Sequence, residues 1–273
     1  FSDWYIFFIA FHHKFKCFLK NRILITGALG QLGEFFVRSL IDNNNYVLAT
    51  DIKDNKILNC DFEYFDILDK KRGNFLINKY KINQIYNFAA ILSAKGEQNP
   101  LSTWKINNTG FTNIVELCLK NNINRIFWPS SIAVFGRNSN LKLVNNDEPM
   151  LPETMYGVSK LACEKSMFYF NNKNLLDIRS IRFPGIVSNS KPGGGTTDYI
   201  VEMLYSARQK KDYICFLKEN TTLPMIHIND AVDASIKLME SEKSKISLNH
   251  PYNITSFETS PSNWLRTIQS IGY

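Results

Sequence analysis

"RILITGALGQLGEFF" (Arg22–Phe36) is the stretch that decides the fold. A short β-branched run, 22–27, ends in glycine and reads as a buried strand. "QLGEFFVRSLIDNN" (31–44) carries apolar residues at helical spacing and stops at an asparagine cluster, so it reads as a helix. Between the two stand Gly27, Gly30 and Gly33. Glycines there permit a tight turn and let the backbone approach a pyrophosphate, while the helix start, with Gln31 and Leu32, offers free N–H groups to its charge. "YVLATD" (46–51) reads as the next strand and ends in Asp51, followed by Ile52. A carboxylate in that place accepts both ribose hydroxyls of an adenosine and repels a 2′-phosphate, which favours NAD over NADP.

The same alternation continues outward. Residues 75–83, 100–122 and 154–172 read as helices, and 84–90, 125–131 and 177–185 as strands. Crossovers of that length suit parallel pairing, so the expected fold is α/β, a Rossmann doubly wound parallel sheet. After Gly185 the pattern becomes irregular. The expected organisation is an N-terminal extension (1–21), an NAD-binding Rossmann domain (22–185) and a smaller substrate-binding lobe (186–273), some segments of which return to the first domain.

Composition narrows the classes. The chain has 273 residues, 44% hydrophobic, ample for a sizeable core. Its net charge of +7 is spread thinly, with Lys pairs at 70–71 and 210–211 the tightest, so no nucleic-acid partner is expected. The apolar run Trp4–Phe11 is too short to span a bilayer, so no membrane partner is expected either. The first residues are basic and nearly acid-free, and could be the remnant of a targeting peptide or a plain extension. Five cysteines without a CxxC pair suggest reduced, mostly buried thiols. His12 and His13 beside Cys17 do not complete a ligand set, and no metal is expected.

A second motif carries chemistry. In Tyr156-Gly-Val-Ser-Lys160 the first and last residues share one helix face. An ammonium beside a phenol favours phenolate and lowers its pKa from the usual ~10, which makes Tyr156 a general base. Ser130 and Ser131 close a predicted strand, where ligands of open α/β sheets bind, and can hydrogen-bond a substrate oxygen.

GxxGxxG, Asn107 in the long helix, "SSIAVFG" and YxxxK occur in the order of the extended short-chain dehydrogenase/reductase superfamily, which the chain resembles. "ITGALGQLG", "AAILSAKGEQNP", "PSSIAVFG", "RFPGIVS", "PGGGTTDY" and "LPMIHINDAV" are more closely similar to the NAD-dependent L-threonine 3-dehydrogenases of short-chain type, from about Arg22 to about Phe257. The resemblance implies oxidation of L-threonine at its β-carbon to 2-amino-3-oxobutanoate. It implies that Tyr156 removes the hydroxyl proton, that Lys160 holds the nicotinamide ribose, and that Ser130 and Ser131 orient the substrate oxygen. Asp66 and Ile67 would flank the adenine, Ala89, Ala90 and Asn107 would serve the cofactor, and Ile186 would approach the nicotinamide. Ser93 would face the substrate, and so would the glycine-hinged loop with Thr196 and Thr197. A homodimer through helices 100–122 and 154–172 is implied, as is a mitochondrial matrix location if the source is eukaryotic, cytoplasmic otherwise.

Two rival readings accompany that one. A nucleotide-sugar epimerase or dehydratase of the same superfamily would need room and cations for a diphosphate, where "PGGGTTDY" offers small polar groups. A non-catalytic NAD-binding remnant is the other, because the family continues past Tyr273 and supplies a tryptophan near the pocket from that part.

Overall fold

A computed structural model describes residues 20–53, 59–123, 125–136, 144, 148–190, 195 and 197–272. Six strands make the central sheet: β1 (Arg22–Thr26), β2 (Tyr46–Asp51), β3 (Asp61–Tyr64), β4 (Gln84–Asn87), β5 (Arg125–Phe127) and, after the two-residue β6 (Ser130–Ser131), β7 (Asp177–Arg179). Their order is β3-β2-β1-β4-β5-β7, and each neighbouring pair is parallel. The direction of winding reverses between β1 and β4, which opens a crevice at their carboxyl ends.

Alternation along each strand sets the two layers. Ile23 and Ile25 face one side with Val47, Ala49, Tyr86 and Phe127, where α1 (Gln31–Asp42) packs. Leu24, Leu48, Ile85 and Ile126 face the other, against α2 (Lys70–Tyr80), α5 (Gly110–Lys120) and α6 (Met155–Asn172). This is the period of two of a strand buried on both faces. Phe36 on α1 is fully buried among Tyr86, Phe88 and Phe127. Truncating it to alanine would cost about 3–5 kcal/mol.

Several boundaries differ from the sequence reading. The helix expected at 75–83 starts at Lys70, capped by the Asp69 carboxylate on Arg72 N, and ends before Lys81 in the left-handed region. β3 and the short α3 (Ser93–Gln98) went unread, being four and six residues long. The long helix runs as α4 (Pro100–Trp104), a π-helical turn at Lys105–Thr109, then α5. The strand expected at 125–131 breaks at Trp128–Pro129, and β6 joins a different sheet, β11-β8-β6, with β8 (Ile181–Phe183) and β11 (Tyr252–Asn253). Proline cannot donate to a ladder, which ends the first segment.

After Gly185 regular elements alternate with a stretch, 211–222, that is neither helix nor strand. β9 (Gly185–Val187), β10 (Leu223–His227) and β12 (Phe257–Thr259) form a third sheet, and α7 (Tyr199–Arg208) and α9 (Pro261–Ser270) share a core cluster through Tyr199–Val201 and Trp264. α8 (Ile228–Glu240) returns to the central sheet and packs its Ala231, Val232, Ile236 and Met239 into the same layer as α1. Its helical period was present in "INDAVDASIKLME", but a single expectation for the whole region concealed it.

Of the apolar residues of α5, Phe111, Ile114, Val115, Leu117 and Cys118 are buried in the core, and Leu119 is exposed. Leu101 and Trp104 on α4, and Val158 and Tyr169 on α6, remain exposed. Among the described residues no helix is long and apolar enough to cross a membrane.

Candidate active site

At the tip of β1 the chain turns through Gly27, whose φ is +65°, and a Cβ there would lie 2.7 Å from Ala89 N. A Cβ on Gly33 would overlap Gly27 O. The turn therefore closes only without side chains. α1 begins at Gly30 with no side-chain cap, so its first N–H groups face a cavity lined by Gly27, Gly30, Gln31, Leu32 and Gly33. An uncapped helix start behind a turn that leaves no space for a side chain fits a pyrophosphate, and these residues fit a bound dinucleotide.

That cavity, about 350 Å³, continues past Ala90, Leu92 and Ser93 to Ser130, Ser131, Tyr156, Lys160, Ile186, Gly195, Thr197 and Asp198. It thus gathers most of the residues that the sequence singles out. Asp51 and Ile52 lie outside its wall, at the tip of β2. Asp51 accepts from Leu29 N at 3.1 Å and from Lys53 N at 3.1 Å, so it also braces the glycine turn, and Ile52 is exposed beside it. Ala89 N donates to Thr26 Oγ1 at 3.3 Å and holds the tips of β1 and β4 together. Gln31 Nε2 donates to Ser188 Oγ at 2.8 Å and ties the start of α1 to the chain beyond β9. Thr196 lies outside the described residues.

Three side chains lie elsewhere than the sequence suggests. Ile67 is buried in the core behind the sheet, 4% exposed, so its side chain is not free to flank an adenine. Its neighbour Asp66 does remain partly exposed, with one oxygen accepting from Leu68 N at 2.9 Å. Asn107 does not reach the cavity; its amide accepts from Ile91 N at 2.8 Å and donates to Ile91 O at 3.1 Å and Ser159 Oγ at 3.1 Å. It pins the chain that leads to Ser93. Ser130 borders the cavity but its hydroxyl donates to the buried Glu164 carboxylate, so it is not directed at a substrate oxygen.

Tyr156 stands in the first turn of α6, which Thr154 caps by accepting from Gly157 N at 3.1 Å. Gly157 carries no side chain because a Cβ would overlap Ala133 O, and that close approach sets Tyr156 against Ser131. The Tyr156 and Ser131 side chains are hydrogen-bonded. Lys160 Nζ donates to Pro129 O at 2.6 Å and lies 4.4 Å from the Trp128 ring and 5.5 Å from that of Tyr156. Its charge does not depress the phenol as the sequence suggests. Burial pushes Tyr156 up to about 12 despite the bond from Ser131, and burial pulls Lys160 down to about 8. Desolvation of the charged form is the largest cause of each shift.

Asp198, the aspartate of "PGGGTTDY", carries no chemical motif of its own in the sequence. It lines the cavity, accepts from Gly195 N at 2.8 Å, and with Lys160 makes the pair of charged groups in the described lining. Among the described residues no three His, Cys, Asp or Glu converge as a metal set.

A model of the NAD dependent epimerase/dehydratase family matches residues 23–255. An uncharacterized epimerase/dehydratase of Staphylococcus haemolyticus is 38% identical over 257 residues, 91% of this chain and 80% of that protein. Among solved structures, the holo form of an L-threonine dehydrogenase from Cupriavidus necator is similar with a TM-score of 0.85 and 36% identity, over 88% of this chain and 80% of that one. An L-threonine 3-dehydrogenase from Trypanosoma brucei gives 0.84 and 36%, over 89% and 77%.

Proposed function

This chain belongs to the NAD-dependent epimerase/dehydratase family, and on that premise we propose that it oxidises L-threonine at the β-carbon to 2-amino-3-oxobutanoate. The observation that carries the substrate is the polar content of the cavity. One carboxylate, Asp198, and one ammonium, Lys160, accompany the hydroxyl side chains of Ser93, Ser131, Tyr156 and Thr197. A small zwitterion with one hydroxyl needs opposite charges and hydrogen-bonding partners on several sides.

When bound, NAD⁺ supplies the hydride acceptor. The chain's own residues do the rest. Ser131 and Tyr156 meet the substrate hydroxyl; Tyr156 acts as the phenolate, its own proton having first left to solvent, and takes the proton of that hydroxyl. Asp198 meets the ammonium. Lys160, held on Pro129 O, keeps a positive charge beside the phenol. Thr197 and Leu223 line the same cavity as the glycine turn. The exposed Leu101, Trp104, Val158 and Tyr169 supply the contact for a homodimer.

The family description and the name of the Staphylococcus relative favour a second reading, a nucleotide-sugar epimerase or dehydratase. Such a substrate brings a diphosphate, and Lys160 is the cation among the described lining residues. The two readings separate by NADH absorbance with NAD⁺ and L-threonine, set beside product analysis with UDP-sugars. NADH from threonine supports the dehydrogenase; sugar conversion without it overturns that reading. Tyr156→Phe is expected to lower turnover about a thousandfold or more and leave NAD⁺ affinity by calorimetry within about twofold. An equal loss of affinity would remove the general-base role.

A further inference from the structure

Tyr156, Lys160 and Glu164 stand at successive turns on one face of α6, at i, i+4 and i+8. Each engages a different residue of a single three-residue segment. Tyr156 is hydrogen-bonded to the Ser131 side chain, Lys160 donates to Pro129 O at 2.6 Å, and Glu164 accepts from the Ser130 hydroxyl. The first two contacts belong to the chemistry proposed above. The third has no catalytic use and is buried: Ser130 is 2% exposed and Glu164 4%.

Glu164 is not alone there. Arg182 on β8, 1% exposed, donates Nε to Glu164 Oε1 at 2.9 Å and Nη2 to Oε2 at 2.8 Å, a bidentate pair. Arg182 Nη1 also donates to Asn253 Oδ1 at 3.2 Å on β11, Nη2 lies 3.4 Å from Met150 Sδ, and the guanidinium sits 5.1 Å from the Phe135 ring. The pair thus joins α6, both outer strands of the β11-β8-β6 sheet and the chain on either side of the cavity floor. A buried ion pair is a poor means to stability, since apolar side chains of equal volume usually do as well or better. What it offers instead is direction: a carboxylate clamped at both oxygens cannot rotate, so the hydroxyl bonded to it is fixed as well.

We propose that Glu164, clamped by Arg182, is a positioning residue that holds Ser130 so that the adjoining Ser131 meets the Tyr156 hydroxyl. The inference rests on the threonine reading for its kinetic readout, and not for its structural one. The working pattern in this chain is Tyr156-x₃-Lys160-x₃-Glu164 with Arg182.

Ser130→Ala removes the link and leaves the ion pair whole. It is expected to lower kcat roughly tenfold with KM for threonine and NAD⁺ within about twofold. Glu164→Gln should lower kcat at least as far, and the double variant should be no worse than Glu164→Gln alone, because both act through one bond. Unchanged kcat in Ser130→Ala, a rise in KM for threonine with kcat kept, or losses that multiply in the double variant would each overturn the proposal. Should Glu164→Gln fail to fold, the Ser130→Ala result decides. Should the unaltered chain make no NADH from threonine, the substrate reading falls and hydrogen exchange takes over. Faster exchange at 131–134 in Ser130→Ala, with the Gly27–Gly33 turn unchanged, supports the link, and unchanged exchange at 131–134 overturns it.

Discussion

The Gly27–Gly33 turn and the wall formed by Pro129–Ser131 with α6 face one another across the same cavity. The turn is shaped by what is missing: a Cβ at Gly27 or Gly33 would strike backbone, so the chain can close only one way. The wall is shaped by what is present, three side chains of α6 bonded to three successive residues, Pro129–Ser131. Backbone geometry of the first kind tolerates no additions. Polar side chains of the second kind are held at a cost in desolvation, and removing one can release that cost. The two regions should therefore respond to substitution with opposite signs.

The largest effect is expected in the turn. Gly33→Ala places a methyl group against Gly27 O and the Ala28 backbone, neither of which can swing aside as a side chain would. Overpacking of that sort lowers stability by about 1–3 kcal/mol, and backbone contact puts this position at the upper end. NAD⁺ affinity should fall with it, because the same shift misaligns the N–H groups of α1. A thermal melt with calorimetry checks both; a melting point within about 2 °C of the unaltered chain would mean the turn has slack that its geometry denies.

The wall should behave in the opposite way. Burial brings Lys160 to about 8, below its ordinary 10.5. Below pH 8 folded and unfolded chains both carry the proton, and the full cost of burying the charge is present. Between about 8 and 10.5 the unfolded chain binds more protons, so stability rises with pH as that cost is relieved. Lys160→Met removes the charge at the price of the bond to Pro129 O. It is expected to gain about 1–2 kcal/mol at pH 7, with the advantage shrinking towards pH 10, while turnover is lost. Urea melts of the two chains across that range, compared by difference so that the buried thiols and phenols cancel, read the sign directly. A destabilised variant at pH 7 would show that the wall is built for stability after all.

The same contrast decides what could be read from sequence. A turn that needs glycine leaves glycine in the text at fixed spacing, and β1, α1, β2 and the Asp51 position all follow locally from it. The wall leaves only Tyr156 and Lys160, because their spacing is a helix repeat. Glu164 continues that repeat, but its partners Ser130 and Arg182 lie 34 and 18 residues away, on two strands of a sheet that the sequence did not announce. Ser130 and Ser131 cannot be told apart in sequence for that reason, and only the pleat sends one hydroxyl to Tyr156 and the other to Glu164. Ile67 shows a similar ambiguity: a position after a strand tip can face the cofactor or the core, and its side chain is buried in the core. β3 and α3 are too short for periodicity to register.

Asp51 belongs to both kinds of region, and the smallest expected effect is the most discriminating. Its carboxylate braces the turn through Leu29 N and Lys53 N, and it stands where an adenosine ribose would lie. Asp51→Asn keeps a carbonyl oxygen for Leu29 N but loses the charge that repels a 2′-phosphate. Asp51→Ala loses both. If the residue acts on the ribose, both variants should relax the preference for NAD⁺ over NADP⁺ by about tenfold, and alanine should cost further stability of about 1 kcal/mol. If it acts only as a brace, asparagine should keep the preference and alanine should lose affinity for both cofactors alike. Calorimetry with each cofactor against the three chains separates the cases, because a brace is blind to the 2′-position and a charge is not.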